Sequence, residues 1–181
     1  PAANSVSGRV ARGLHPGGMV RVAGPLGTSY LRAQHSGAML CIAGGSGLAP
    51  IKSIIEAALV GGFGRPLHLY FGVRAERDVY FEAELAALQQ RHPGFKAHIV
   101  LSEGVAQSRA TLLPRRNGLV TDAVAADFAS LAGFKAYFAG PPPMVDAATT
   151  LVRERGVESR DIHADAFFPA AENPEKMAEA R

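Results

Sequence analysis

Tryptophan is absent from this 181-residue chain, cysteine occurs once, and aromatic residues make up only 7% of it. The lone cysteine, Cys41, leaves no internal disulfide and no four-thiolate iron–sulfur site within these residues. It lies in the apolar run Leu40-Cys-Ile-Ala43, where core packing is the expected use of a thiol. The six histidines lack HxxxH or HxH spacing and no carboxylate cluster accompanies them, so no protein-bound metal is expected. Long hydrophobic runs are missing as well. Glycine, proline or charge interrupts each apolar stretch well short of a bilayer crossing, and the first residues lack a signal-peptide layout. No membrane partner is expected, and the cytoplasm is the simplest compartment. An excess of 19 Lys and Arg over 16 Asp and Glu gives +3, with the basic residues scattered, which argues against a nucleic-acid partner. A modest positive field of this kind suits an acidic protein partner.

Glycine is plentiful at 20 residues, and its most informative cluster lies in Cys41-Ile-Ala-Gly-Gly-Ser-Gly-Leu-Ala-Pro50. The apolar lead-in reads as a strand buried on both faces. Gly44, Gly45, Ser46 and Gly47 form a turn whose amide N–H groups can face an anion. Leu48, Ala49 and Pro50 belong to the helix entry, where the missing proline N–H costs nothing. A helix over Pro50–Val60 directs its positive end at a pyrophosphate. Compared with the dinucleotide fingerprint GxGxxG, proline stands in place of the third glycine. In isolation the same residues also suit an ordinary strand-to-helix turn.

Farther on, Pro66–Val73 reads as a strand, Tyr80–Arg91 as a helix and Phe95–Leu101 as a strand. Residues 104–116 read as a polar surface loop, before a helix capped by Thr121 or Asp122 and running to about Leu131. Strand, helix and strand follow at Lys135–Ala139, Pro141–Gly156 and Asp161–Phe167. This alternation predicts an α/β fold, a parallel sheet with helices on both faces. Residues 1–33 differ in kind. Gly8-Arg-Val-Ala11 and Val20-Arg-Val-Ala23 read as short β pieces, the last part of a small β-domain. The expected division is thus the end of a β-domain at 1–33, an α/β domain at 34–169 and a polar tail at 170–181.

Five ordered motifs span nearly the whole chain: Gly24-Pro-Leu-Gly-Thr-Ser-Tyr-Leu-Arg32, Gly44-Gly-Ser-Gly-Leu-Ala-Pro50, Tyr70-Phe-Gly-Val-Arg-Ala-Glu-Arg-Asp-Val-Tyr80, Tyr137-Phe-Ala-Gly-Pro-Pro-Pro-Met144 and Ile162-His-Ala-Asp-Ala-Phe167. With these in order, the chain resembles the ferredoxin–NADP reductase superfamily, and within it the reductase components of aromatic-ring dioxygenase systems of the naphthalene type. Gly118-Leu-Val-Thr-Asp-Ala-Val-Ala-Ala-Asp-Phe128 adds to the narrower match.

The resemblance implies electron transfer from NAD(P)H through FAD to a [2Fe-2S] ferredoxin and a terminal oxygenase. It implies an FAD-binding antiparallel β-barrel ending in residues 1–33 and any [2Fe-2S] cluster in an N-terminal domain outside this C-terminal fragment. On the flavin side, Gly8, Val10 and Ala11 occupy the place of the family's flavin-pyrophosphate motif, although Ala11 lacks the family's hydroxyl. The glycine-rich turn would hold the nucleotide pyrophosphate and Arg74 the adenosine ribose, where a guanidinium can pair with a 2′-phosphate. Arg74 could instead pair with Asp78. Both NADH and NADPH remain open. Gly140, Pro141, Pro142 and Met144 would line the nicotinamide, with Ala139 where most relatives have cysteine. Phe167 would lie near the flavin ring, or simply pack the last strand, and Asp165 would act as an acid or hydrogen-bonding neighbour there. Two other readings stay open: a reductase for a phenol- or toluene-type monooxygenase, and a nucleotide-binding module without turnover.

Overall fold

The computed structural model describes residues 6–24, 27–104 and 111–168. A short helix, α1 (Val6–Gly13), precedes the alternation β1 (Met39–Gly44), α2 (Leu48–Val60), β2 (Leu67–Val73), α3 (Glu82–Arg91), β3 (Phe95–Leu101), β4 (Arg115–Asn117), α4 (Val120–Asp127), β5 (Lys135–Gly140), α5 (Pro142–Glu154) and β6 (Ile162–Ala166). Every strand pairing is parallel, in the order β4-β3-β2-β1-β5-β6. The expected parallel sheet between two helical layers is therefore present. Strand β1 is buried along its whole length because both faces are covered. Met39, Cys41 and Ala43 pack with Ile51 and Ile55 of α2 and Leu85 of α3, whereas Leu40 and Ile42 pack with Val124 of α4 and Val145 of α5. Successive Cβ atoms on a strand point to opposite faces, so one continuous apolar run builds both cores. Burial pushes the Cys41 thiol well above its ordinary range, in keeping with a packing role.

Three local expectations differ from the structure. Gly8, Val10 and Ala11 lie on helix α1, and no strand occurs among the described residues 6–24 and 27–38. A strand needs a neighbour for its backbone groups, whereas a helix satisfies them within the segment. The stretch expected to be loop at 104–116 ends in β4, whose Arg115 to Asn117 pair in register with Ile99 to Leu101. Polar side chains hide this strand from a hydropathy pattern because it sits at the sheet edge. Helix α4 begins at Leu119 as N-cap and stops at Asp127, short of Leu131. Asp122 caps it from inside the first turn, its Oδ2 accepting the Leu119 N–H at 3.3 Å. The tail 170–181 lies outside the described residues.

Helix α4 stops where its last carboxylate is drawn into the sheet. Asp127 accepts the Tyr70 hydroxyl at 2.5 Å and Arg116 Nη2 at 2.7 Å. Beside them His98 stacks on Tyr70 with 5.0 Å between ring centroids, its Nδ1 buried without a hydrogen-bond partner among the described residues. Burial first, then the Arg116 charge, holds His98 below the ordinary histidine value of 6.5. Neutral His98 therefore contributes stability above 6.5 that is lost as the pH falls from that value through the lower folded-state one. Urea midpoints are expected to fall between about pH 7 and about pH 5, with a shallower fall in His98→Gln. Parallel profiles for the two proteins would exclude this source.

Candidate functional site

The order of strands reverses at β1: the chain builds outward through β2, β3 and β4, then returns to the other side of β1 with β5 and β6. Loops leaving the two central strands diverge to opposite faces there and open a crevice at their carboxyl ends. A cleft of about 550 Å³ occupies that place. Gly44, Gly45 and Ser46 form one wall, Pro141 and Met144 another, and Val73, Arg74, Asp78 and Tyr80 a third.

The first two walls differ chemically. After β1 the chain makes one 3-10 turn, Gly45–Gly47, and enters α2 with no side-chain cap and no acidic residue in its first turn. Orphan amide N–H groups at such an end favour an anion. After β5 the chain enters α5 through Pro141, Pro142 and Pro143, none of which carries an N–H. That helix end offers an apolar rim of Pro141 and Met144 in place of donors. The cleft thus joins a donor-rich end, fit for a phosphate, to a donor-poor end, fit for a flat ring.

Other expected site residues take different positions. Gly47 and Leu48 are buried behind the turn, with Ala49 and Pro50 in the first turn of α2; none of the four lines the cleft. Gly140 backs it, accepting the Phe167 N–H on its carbonyl at 2.8 Å. Pro142 is the first residue of α5. Phe167 is half-buried and packs on the α2-side core. Asp165, opposite Ala139 in register, accepts the Ser29 hydroxyl at 2.7 Å. Gly8 and Val10 line a separate cleft with Arg21 and Val22, and Ala11 shares their helix. The described residues therefore do not bring these three together with the nucleotide-type cleft.

Arg74 is exposed at the end of β2. Asp78 does not pair with it; its Oδ2 instead accepts the Ala75 N–H at 3.1 Å. Tyr80, Ser102 and Gly118 to Val120 also line the cleft, although none of them is among the site residues expected from sequence. Gly118 directly follows β4, so finding β4 would have placed it at the carboxyl edge, whereas Ser102 directly follows β3, a strand the apolar pattern already ends at Leu101. Among the described residues no group of three or more His, Cys, Asp or Glu is placed to hold a metal ion. None of the described helices is long and apolar enough to cross a membrane.

Residues 41–150, from within β1 to within α5, match the family described as the oxidoreductase NAD-binding domain. The chain belongs to this family. Its sequence is 48% identical over 165 residues to the ferredoxin–NAD(P)(+) reductase component of naphthalene dioxygenase and salicylate hydroxylase systems from Ralstonia, covering 91% of this chain and 49% of that protein. It is 43% identical over 153 residues to the reductase component of the naphthalene dioxygenase system of Pseudomonas putida, covering 84% and 45%. A crystal structure of a cytochrome P450 reductase from Amycolatopsis superposes with a TM-score of 0.80 at 35% identity, covering 91% of this chain and 48% of that one. The chain spans about half the length of the curated relatives it matches. In this oxidoreductase NAD-binding domain the matched residues include both turns that shape the cleft.

Proposed function

We propose that these residues form the NAD(P)H-binding portion of a reductase that passes electrons through FAD to a [2Fe-2S] ferredoxin serving an aromatic-ring dioxygenase. The division of the cleft into a donor-rich end and a donor-poor end carries this reading. A dinucleotide needs both: its pyrophosphate takes the amides at Gly44, Gly45 and Ser46, and its nicotinamide lies against Pro141 and Met144. Gly140 and Pro142 hold that second turn, while Gly47, Leu48, Ala49 and Pro50 hold the first. The similarity to naphthalene-type ferredoxin reductase components favours a ferredoxin as acceptor over the phenol- or toluene-type monooxygenase of the alternative.

FAD, when bound, supplies an acceptor for the hydride and releases electrons singly. We assign the flavin mainly to the part of the relatives' length that this chain does not match, with residues 1–33 at the end of that domain. Gly8, Val10 and Ala11, held on α1 away from the cleft, do not by themselves make a flavin site. We assign Phe167 to shield the nicotinamide and Asp165 to neighbour it; the Phe167 backbone bond to Gly140 and the Ser29 bond to Asp165 support this reading. The chain's own contribution is alignment: it holds the nicotinamide in one place and leaves the chemistry to the two ring systems.

Stopped-flow mixing of NADH with a complete reductase carrying this domain is expected to reduce the flavin, and an oxidised flavin that stays oxidised would overturn the proposal. Arg74 bears on cofactor choice. With no carboxylate partner among the described residues, its guanidinium is available to a 2′-phosphate, while Asp78 on the same wall suits a bare ribose. Calorimetry on Arg74→Ala is expected to show NADPH binding weakened about tenfold and NADH binding within about twofold. Equal losses for both nucleotides would remove Arg74 from the ribose site.

A further inference from the structure

One wall of the cleft is anchored more firmly than a surface loop requires. Between β2 and α3, Glu76 and Glu82 both bind the guanidinium of Arg115, at 2.6 and 3.0 Å. Between these anchors in sequence lies Tyr80, half-buried, with its ring edge-on to Phe71 at 5.3 Å between centroids. Its hydroxyl donates to the carbonyl oxygen of Gly45 at 2.7 Å. The same oxygen accepts the Leu48 N–H at the entry to α2.

The consequence follows from the planarity of the peptide. The Gly45 carbonyl and the Ser46 N–H belong to one trans unit, so they point in opposite directions. Fixing the oxygen toward Tyr80 and α2 aims the Ser46 N–H out of the helix end, and Ser46 lines the cleft. Gly45 stands at φ +51°, a residue without the Cβ that normally limits rotation, so that orientation rests on the two donors to its oxygen, the Leu48 N–H within the turn and the Tyr80 hydroxyl from outside it. A reversed peptide would present a carbonyl oxygen where an anion is to bind.

We propose that Tyr80 is a positioning residue whose hydroxyl holds the Gly45–Ser46 peptide with its N–H facing the cleft, so that recognition of a pyrophosphate depends on it. This rests on the nucleotide reading of the cleft. Tyr80 acts through the peptide, and its removal affects ligands that carry a pyrophosphate without affecting those that do not.

The test uses the full chain, wild type and Tyr80→Phe, with NAD+, ADP-ribose and adenosine as probes in calorimetry and in amide NMR titrations. Tyr80→Phe keeps the ring on Phe71. It is expected to weaken NAD+ and ADP-ribose about tenfold and adenosine by less than about twofold, and to reduce the shift of the Ser46 amide proton on NAD+ addition. Phe71→Leu, which disturbs the packing and keeps the hydroxyl, is expected to lower the melting temperature without changing the NAD+ to adenosine affinity ratio. Unchanged NAD+ affinity in Tyr80→Phe, or an equal loss for adenosine, overturns the inference while the nucleotide site stands. If Tyr80→Phe fails to fold, the wild-type titration decides: a Ser46 amide that does not move with ADP-ribose also overturns it. Failure of the wild type to bind either pyrophosphate probe removes the nucleotide reading itself.

Discussion

Gly47→Ala is expected to lower stability by about 3 kcal/mol and to abolish measurable NAD+ binding, although alanine is a better helix former than glycine. Gly47 has φ −62° and ψ −13°, angles open to any residue, so conformational freedom is not the reason for glycine here. Space is. A Cβ built on Gly47 would lie 2.0 Å from the Ala139 carbonyl oxygen, 2.4 Å from its carbon and 2.8 Å from the Gly140 nitrogen. All three are backbone atoms at the end of a central, fully buried strand, and they have no rotamer by which to yield. Relief requires the start of α2 to move away from β5. Those two elements carry the donor-rich and donor-poor ends of the cleft, so the same movement separates the two halves of the site. At Gly45, by contrast, a Cβ meets nothing within 4 Å, and alanine there is opposed only by the positive φ, at about 1 kcal/mol. Urea denaturation and NAD+ calorimetry on the two variants check this order, and a Gly47→Ala chain with wild-type midpoint and affinity would refute the contact argument.

That glycine also marks how far the sequence was legible. The turn, its place after a buried strand and its partner turn at Pro141 could be read because apolar runs, glycine clusters and a proline run each have local causes. The roles within the turn could not. Gly47 was expected among the residues around a pyrophosphate, yet it is buried against Ala139 while Gly44, Gly45 and Ser46 face the cleft. Which glycine faces a ligand and which faces a neighbouring strand depends on the β1–β5 contact, and that contact joins residues about a hundred positions apart. Strand β4 stayed hidden for a related reason. Arg115 and Arg116 have no strand signature, and their pairing is fixed by side chains distant in sequence: Glu76 and Glu82 for one, Asp127 for the other. Helix α1 shows the opposite failure, since β-like residues did not form a strand where no partner strand is described.

Arg115→Met is expected to destabilise the fold by about 3 kcal/mol at neutral pH, as much as Gly47→Ala. The Arg115 side chain is only 6% exposed, and its two carboxylate partners are 23% and 22% exposed. Its guanidinium reaches Glu76 through Nε and Nη2 and Glu82 through Nη1 and Nη2, four bonds between 2.6 and 3.0 Å. Glu82 Oε1 in turn accepts the Leu112 and Leu113 N–H groups at 2.7 and 2.9 Å. Removing the cation leaves two part-buried carboxylates facing each other, and their repulsion costs more than the lost bonds alone. Partial exposure of both carboxylates screens the repulsion and keeps the estimate below the upper end for fully buried pairs. The pH dependence separates this account from a simple loss of packing. Hydrogen bonding by Arg115 holds the Glu82 carboxyl below its ordinary value of 4.5, against the opposing effect of burial. In the wild type that pairing stabilises the fold above 4.5 and is lost as pH falls through the lower folded-state value. In Arg115→Met the two carboxylates repel without the guanidinium between them, and protonating either relieves them. The stability difference between the two proteins should therefore shrink as the pH is lowered from about 7 to about 4. Urea midpoints across that range decide it: a difference that stays constant points to lost packing of the long side chain, and no difference at neutral pH removes Arg115 as the anchor of the Tyr80 wall.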